Sequence, residues 1–169
     1  MAFKAYNAAM PTTAAQASVS TTTSIRTMLQ VVPPSTRMLQ VISWGFTLDD
    51  PPGADAVIEL LQTDVAATTG TAHVAAGIYN TDPNGSASLV QLGAALTGFT
   101  FTAEGISAAV SVFDAVSLSS TTGESPLTYV YQFMPDERPL VGASKFLRVR
   151  ATTPTTAVDM RTWVSWVEV

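Results

Sequence analysis

The sequence predicts an all-β protein that folds as an antiparallel sandwich of two sheets. Apolar and polar residues alternate in short runs that recur about every ten residues, separated by turn-forming Gly, Pro, Asn or Asp. Thr, Ser and Ala are abundant, whereas the runs of Glu, Lys and Leu that build helix surfaces are missing. About eight strands without helical crossovers favour a jelly roll, and an immunoglobulin-like sandwich is the alternative.

The composition limits the classes of partner. A chain of 169 residues can bury the core of one domain without a metal or a disulfide, and it contains no cysteine. Its formal net charge of −5 argues against a nucleic-acid partner, because phosphate binding needs a basic patch. No apolar run is long enough to cross a bilayer, and the first residues lack the pattern of a secretion signal. We therefore expect no membrane partner and synthesis in the cytosol.

Residues 1–23 are predicted to form an extended or disordered arm in front of a β-sandwich domain at 24–169. The arm is rich in Ala, Thr and Ser and has no sustained period of either strand or helix. The arm is either a disordered terminus or a segment that becomes ordered on a neighbouring subunit. In the second case its large apolar side chains would contribute most of the binding free energy, because the partner would bury them. Its candidate partner-binding residues are Phe3, Lys4, Tyr6, Asn7 and Met10.

The sequence MLQV occurs twice, at 28–31 and at 38–41, with two prolines between the copies. Both copies have the alternation of strands. If they pair as a hairpin about Ser35, Leu29 faces Val41 on an apolar side. If the double-proline turn is a corner between sheets, the two copies lie in opposite sheets.

The middle of the chain has weaker strand signals than either end. Residues 56–63 carry aliphatic side chains on both faces, which favours a strand that is packed on both sides. Between 65 and 98, small residues leave the register open, and short strands are expected at 73–79 and 88–92. The sequence DPNG at 82–85 fits a type I turn.

Clear alternation returns after residue 98, and further strands are predicted at 99–102, 110–118, 127–134, 146–152 and 159–169. In the second of these runs Asp114 interrupts an otherwise apolar face. A carboxylate in that position predicts a sheet edge or a bulge.

The sequence contains no catalytic motif, and we expect no enzyme activity, metal or cofactor. There is no nucleophile elbow, phosphate-binding loop or HExxH sequence. His73 has no second histidine or cysteine as a partner, which favours a structural role, and the aspartates at 49–50 lack the ligand spacing of a calcium loop. Nothing in the spacing brings together two of the carboxylates that could serve as a glycosidase pair, which are Glu59, Glu104, Asp114 and Asp159.

Aromatic side chains offer one possible binding chemistry, because they could form a platform that stacks on sugars. Large aromatics on alternating strand positions are, however, more typical of a core. The residues concerned are Trp44, Tyr79, Tyr129, Tyr131, Trp163 and Trp166.

Five stretches carry a likeness to a known class of proteins: SIRTMLQV at 24–31, the run 37–46 with its Trp-Gly pair, VIEL at 57–60, FLRVR at 146–150 and VSWVE at 164–168. In their order and pattern, residues 24–169 resemble the small β-sandwich head decoration, or cement, proteins of tailed bacteriophages, particularly phages of actinobacteria.

The resemblance implies a structural protein of the virion, made in the host cytoplasm and bound to the outer surface of the capsid. Such a protein clamps neighbouring subunits of the major capsid protein, often as a homotrimer, and has no catalytic residues. An acidic pI suits a shell exterior that lies away from packaged DNA. The alternatives are a carbohydrate- or receptor-binding sandwich and a component of the phage tail or neck.

Overall fold

The computed structural model describes residues 5–9, 18–104, 110–121 and 127–169. Apart from one short 3₁₀ helix at Ala75–Gly77, the regular structure of these residues is all strand. The strands are β1 (Ala5–Ala9), β2 (Val19–Ser20), β3 (Ile25–Val31), β4 (Leu39–Leu48), β5 (Ala56–Thr63), β6 (Thr71–Ala72), β7 (Ile78–Asn80), β8 (Gly98–Phe99), β9 (Val110–Leu118), β10 (Thr128–Gln132), β11 (Leu140–Val141), β12 (Phe146–Thr152) and β13 (Asp159–Glu168).

The strands form two antiparallel sheets that pack face to face. The seven-stranded sheet has the order β10-β4-β13-β1-β7, with β11 also paired to β4 and β2 paired to β13. The six-stranded sheet has the order β6-β8-β3-β12-β5-β9. The predicted two-sheet sandwich is therefore confirmed, and the jelly-roll connectivity stays a prediction.

The two MLQV copies do not form a hairpin, so the first alternative is wrong and the second, a corner between opposite sheets, is confirmed. Leu29 on β3 pairs with Val149 in the six-stranded sheet, whereas Val41 on β4 pairs with Trp166 in the seven-stranded sheet. The double-proline turn is the corner between sheets, because prolines lack the N–H groups that a continued ladder needs. Leu29 and Val41 are both fully buried, so the two copies supply the same core from opposite sides.

The main core lies between the two sheets and is built from alternate residues of their central strands. The seven-stranded sheet contributes Trp44 and Phe46, with ring centroids 5.9 Å apart, and the six-stranded sheet contributes Leu60 and Val149. All four side chains are fully buried. The alternation seen in the sequence thus puts one face of each sheet into this core.

Two local predictions are confirmed. Asp114 lies on β9, which is the edge strand of the six-stranded sheet, and the pairing of β9 with β5 skips Phe113 beside it as a bulge does. The turn at 82–85 is closed by a hydrogen bond of 2.9 Å from the Gly85 N–H to the Asp82 carbonyl. The Asp82 carboxylate also accepts the Asn84 N–H at 3.0 Å, which is the local bonding that favours Asp at the start of a turn.

Part of the predicted arm is a strand of the sandwich. β1 pairs with β13 along five residues and with β7 on its other side, so the described part of the arm is extended and held by its own chain. Within the part of the chain that the structure describes, no helix has the length and apolarity that crossing a bilayer would demand.

Candidate interaction surface

The outer face of the six-stranded sheet is partly covered by residues 64–70, 93–97 and 100–104 of the same chain, which we call the cover. Beneath it lie Arg148 and Gln30, which are 2% and 0% exposed although they alternate with core residues along their strands. Phe101 and Ala67 are buried in the cover itself, apart from the main core. This chain therefore covers the part of this outer face around Arg148 and Gln30, whereas Arg150 and Glu59 on the same face are 22% and 18% exposed.

Arg148 is the main polar anchor of the cover. Its guanidinium donates to the Glu104 carbonyl at 2.9 Å, to the Glu104 carboxylate at 3.3 Å and to the Val65 carbonyl. Burial lowers the pKa of Arg148, and the Glu104 carboxylate works against that shift. The same carboxylate accepts the Thr27 hydroxyl at 2.9 Å, so it connects two strands of the sheet to the cover.

Gln30 is the second anchor, and both ends of its side-chain amide are used. The amide oxygen accepts the Ala67 N–H at 2.9 Å, and the amide nitrogen donates to the Leu96 carbonyl at 2.8 Å. The loop backbone of the cover thus finds its hydrogen bonds in side chains of the sheet, which is what allows loops to be buried.

His73 lies beside the cover, following β6, and it is 2% exposed. Its backbone N–H donates to the Thr97 carbonyl at 3.0 Å, and its ring lies 5.5 Å from that of Phe99. Neither ring nitrogen has a hydrogen-bond partner among the described residues. Burial lowers the pKa of His73 from 6.5 to about 4, so the ring is neutral at physiological pH.

On the outer face of the seven-stranded sheet between β13 and β10, the side chains of β13 and β4 are half-buried and those of β10 are exposed, and we call this region the open face. Its middle carries no charged residue, whereas Arg161 and Asp159 lie at one end of β13. The side chains that line this face are apolar groups, hydroxyls and amides. They are Gln40, Ser43, Thr47, Thr128, Val130, Gln132, Leu140, Trp163 and Ser165.

Trp163 is the largest side chain of the open face, and its position depends on Gly45. The two residues are cross-strand partners, and a Cβ on Gly45 would lie 2.4 Å from the Cζ2 atom of the Trp163 ring. The indole therefore rests directly on the backbone of β4. Val130 follows Gly45 in the same cross-strand row and is 60% exposed. An aromatic ring and an aliphatic group thus lie next to each other on the outer side of the sheet.

The sheets are also connected by a polar contact at the side of the sandwich where β9 and β10 lie. One carboxylate oxygen of Asp114 accepts the Trp44 indole N–H at 2.9 Å and the Tyr129 hydroxyl at 2.8 Å. Burial, followed by the hydrogen bond and the charge of Asp114, raises the pKa of Tyr129 to about 12. The interruption that Asp114 makes in the apolar pattern of β9 is therefore a specific bond between sheets.

Three of the four carboxylates considered for catalysis are engaged in other contacts. Glu59 accepts from Arg150 at 3.0 Å, Glu104 from Arg148, and Asp114 from the two rings, while Asp159 is exposed on β13. Among the described residues, no three histidines or carboxylates come together in a group that could hold a metal ion.

The predicted partner-binding residues fall into two groups. Tyr6 is 3% exposed and packs 6.2 Å from the Trp166 ring, so its own sheet already buries it. The Asn7 amide donates to the Ser165 hydroxyl at 2.8 Å on the outer side of β1, beside the open face. Phe3, Lys4 and Met10 lie outside the described residues.

Of the aromatic residues considered for sugar binding, some are buried in the core and others reach the surface. Trp44 and Trp166 are fully buried in the core, as the core interpretation predicts, whereas Trp163 is half-buried and Tyr79 is 49% exposed. Sequence reasoning did not find the open face, although Trp163 and Val130 were each placed on a strand. The missing information was the partner strand, since only the pairing with Gly45 puts the two residues in one row.

No protein-family model matches the chain, and neither the curated proteins nor the solved structures yield a match.

Proposed function

We propose that this protein is a structural component of a phage virion that binds the outside of the assembled capsid and stabilises it through the open face. The observation that carries the proposal is the contrast between the two outer sheet faces. The described residues bury the middle of one face around Arg148 and Gln30, and they leave the other face partly exposed and uncharged in its middle. The resemblance of residues 24–169 to decoration proteins supports the same role.

The chemistry of the open face suits contact with another protein. A surface of hydroxyls, amides and a few apolar groups can be buried without the cost of desolvating charges. A protein that binds the assembled lattice in preference to free subunits stabilises the lattice by the binding free energy at each site. Many copies, each bound with modest affinity, then make the whole shell harder to disassemble.

The test mixes the purified protein with assembled capsids of an actinobacteriophage and, separately, with the unassembled major capsid protein. We expect electron microscopy to show copies at regular positions over the shell, and we expect no binding to the free subunits. Ser43→Lys, in the middle of the open face, should reduce occupancy. Ser111→Lys is the matched control, because Ser111 is exposed on β9 in the other sheet. Equal occupancy of the two variants would refute the role of the open face.

Trp163 supports a second candidate function, the binding of neutral glycans. Its indole lies on the open face among hydroxyls and amides, and aromatic rings with such neighbours can stack on sugars. A glycan array probed with the wild-type protein and with Trp163→Ala tests this candidate. Binding that disappears in the variant would favour it, and an array without signal would remove it. A few copies at a vertex or on the tail would instead favour the tail or neck role.

A further inference from the structure

The two sides of the sandwich protect their edge strands differently. On one side the sheets end in β6 and β7, with two and three residues, and very short edges discourage pairing with other chains. On the other side they end in β9 and β10, with nine and five residues. These longer edges lie close together, because Asp114 on β9 accepts the hydroxyl of Tyr129 on β10.

Of these two longer edges, β10 is the less protected. The pairing of β9 with β5 is interrupted by the bulge at Phe113, whereas β10 pairs with β4 in a regular register from Thr128 to Gln132. The β10 sequence TYVYQ contains no charge, proline or glycine. Natural edge strands usually carry at least one such feature against pairing.

The hydrogen bonds at the two ends of β10 show which of its backbone groups bond to β4 and which face away from it. The Leu48 N–H donates to the Leu127 carbonyl at 2.7 Å, and the Phe133 N–H donates to the Ile42 carbonyl at 2.9 Å. In an antiparallel ladder hydrogen-bonded pairs alternate with non-bonded pairs, so the odd-numbered residues of this stretch bond to β4. The N–H and C=O groups of Thr128, Val130 and Gln132 therefore point to the free edge, where no described strand pairs with them.

We propose that β10 pairs antiparallel with β10 of a second copy of this chain, about a two-fold axis at Val130. In this register Val130 lies opposite Val130 of the second copy, and Thr128 lies opposite Gln132 of the second copy. Each of these pairs exchanges two hydrogen bonds, so every backbone group of Thr128, Val130 and Gln132 that faces away from β4 gains a partner in the second copy. The pairing does not depend on what the open face binds.

The side chains agree with this register. Val130 is 60% exposed, and at the axis it would be covered by its own counterpart. Thr128 and Gln132 are both exposed and uncharged, so no like charges meet across the axis. The two seven-stranded sheets would join into one continuous sheet, with the two open faces side by side.

The first test measures the mass of the full-length protein by sedimentation velocity over the micromolar range. We expect a species of twice the 17.7 kDa chain mass. Val130→Lys places two ammonium groups opposite each other at the axis and should give a monomer. Val112→Lys is the matched control, because Val112 is 51% exposed on the neighbouring edge β9, and it should leave the dimer intact. A wild-type monomer at every concentration, a trimer, or dissociation by Val112→Lys alone would overturn the proposal.

The second test does not rely on disrupting an interface. The chain has no cysteine, so Val130→Cys introduces a single thiol at the proposed axis. Opposed residues in a hydrogen-bonded antiparallel pair lie about 5.5 Å apart at Cα, within the range that a disulfide spans. Mild oxidation should convert Val130→Cys to a covalent dimer much faster than Val112→Cys. Equal rates for the two variants would overturn the register, even if the wild-type protein is dimeric.

Discussion

His73 makes the stability of the fold depend on pH. In the folded state the ring is buried without a hydrogen-bond partner among the described residues, and its pKa is lowered to about 4 by burial. In the unfolded chain the pKa returns to about 6.5. Between these values the unfolded state binds a proton that the folded state does not. The free energy of unfolding therefore falls as the pH falls from about 6.5 towards 4, and it is fully retained above that window.

The size of the effect follows from the two pKa values. One pKa unit corresponds to about 1.4 kcal/mol, so the full difference amounts to about 3 kcal/mol, of which about 2 kcal/mol is lost by pH 5. His73→Leu removes the titrating group and replaces two unpaired nitrogens by apolar atoms, at a site next to Phe99. The variant should be about as stable as the wild type at pH 7.5 and more stable at pH 5.

Urea unfolding followed by tryptophan fluorescence at pH 7.5 and pH 5 measures this difference. The carboxylates titrate in both proteins, so the comparison of wild type and His73→Leu isolates the histidine. If the two proteins lose the same free energy of unfolding between the two pH values, the ring is not buried in its neutral form and the reasoning fails.

Three further predictions concern packing, the cover and the bond between sheets. Gly45→Ala should destabilise the fold by about 2 kcal/mol in urea unfolding, because the added Cβ would overlap the Trp163 ring. Gly142→Ala is the control and should have almost no effect, since the atom nearest to its added Cβ, Lys145 Cγ, would be 3.5 Å away. Glu104→Ala should lower the free energy of unfolding by about 3 kcal/mol, because it leaves the Arg148 charge buried without its carboxylate partner. Glu59→Ala removes the partner of the more exposed Arg150 and should lower the free energy of unfolding by under about 1 kcal/mol. Equal losses for the two variants would contradict this difference. Asp114→Asn should bring the pKa of Tyr129 from about 12 back towards 10, as measured by ultraviolet absorbance titration. The stabilisation that comes from this raised pKa is present below pH 10 and is lost as the pH rises, and in the variant its loss should be complete at a lower pH than in the wild type. An unchanged titration would refute the role of Asp114.

Strands whose own sequence contains the full alternation could be predicted. Phe146–Thr152 and Asp159–Glu168 lie where the sequence places strands, because large apolar residues at every second position leave only one face to bury. Pairing between distant strands could not be predicted in the same way. The hairpin at 28–41 was wrong because the local pattern does not tell whether two adjacent strands share a sheet.

Segments held by polar contacts gave the weakest predictions. The strand expected at 88–92 does not form a ladder, and the cover was not predicted, because its small residues have no strong period. Its anchors are Arg148 and Gln30, which the sequence shows only as polar residues on one side of a strand. The candidate surface was missed for a related reason, since an open face consists of ordinary outward residues whose arrangement depends on pairing.

The central position of the last strands in both sheets affects how the chain folds during synthesis. β12 lies between β3 and β5, and β13 lies between β4 and β1, so the last strands of the chain occupy central places in both sheets. The hydrogen bond from Asn7 to Ser165 joins residues that are 158 positions apart in the sequence. While the chain is still on the ribosome, the earlier strands have unfilled neighbours, and neither sheet can close until residues 146–168 emerge. Such distant pairing makes folding slow, and it concentrates the risk of aggregation in the interval between synthesis and closure.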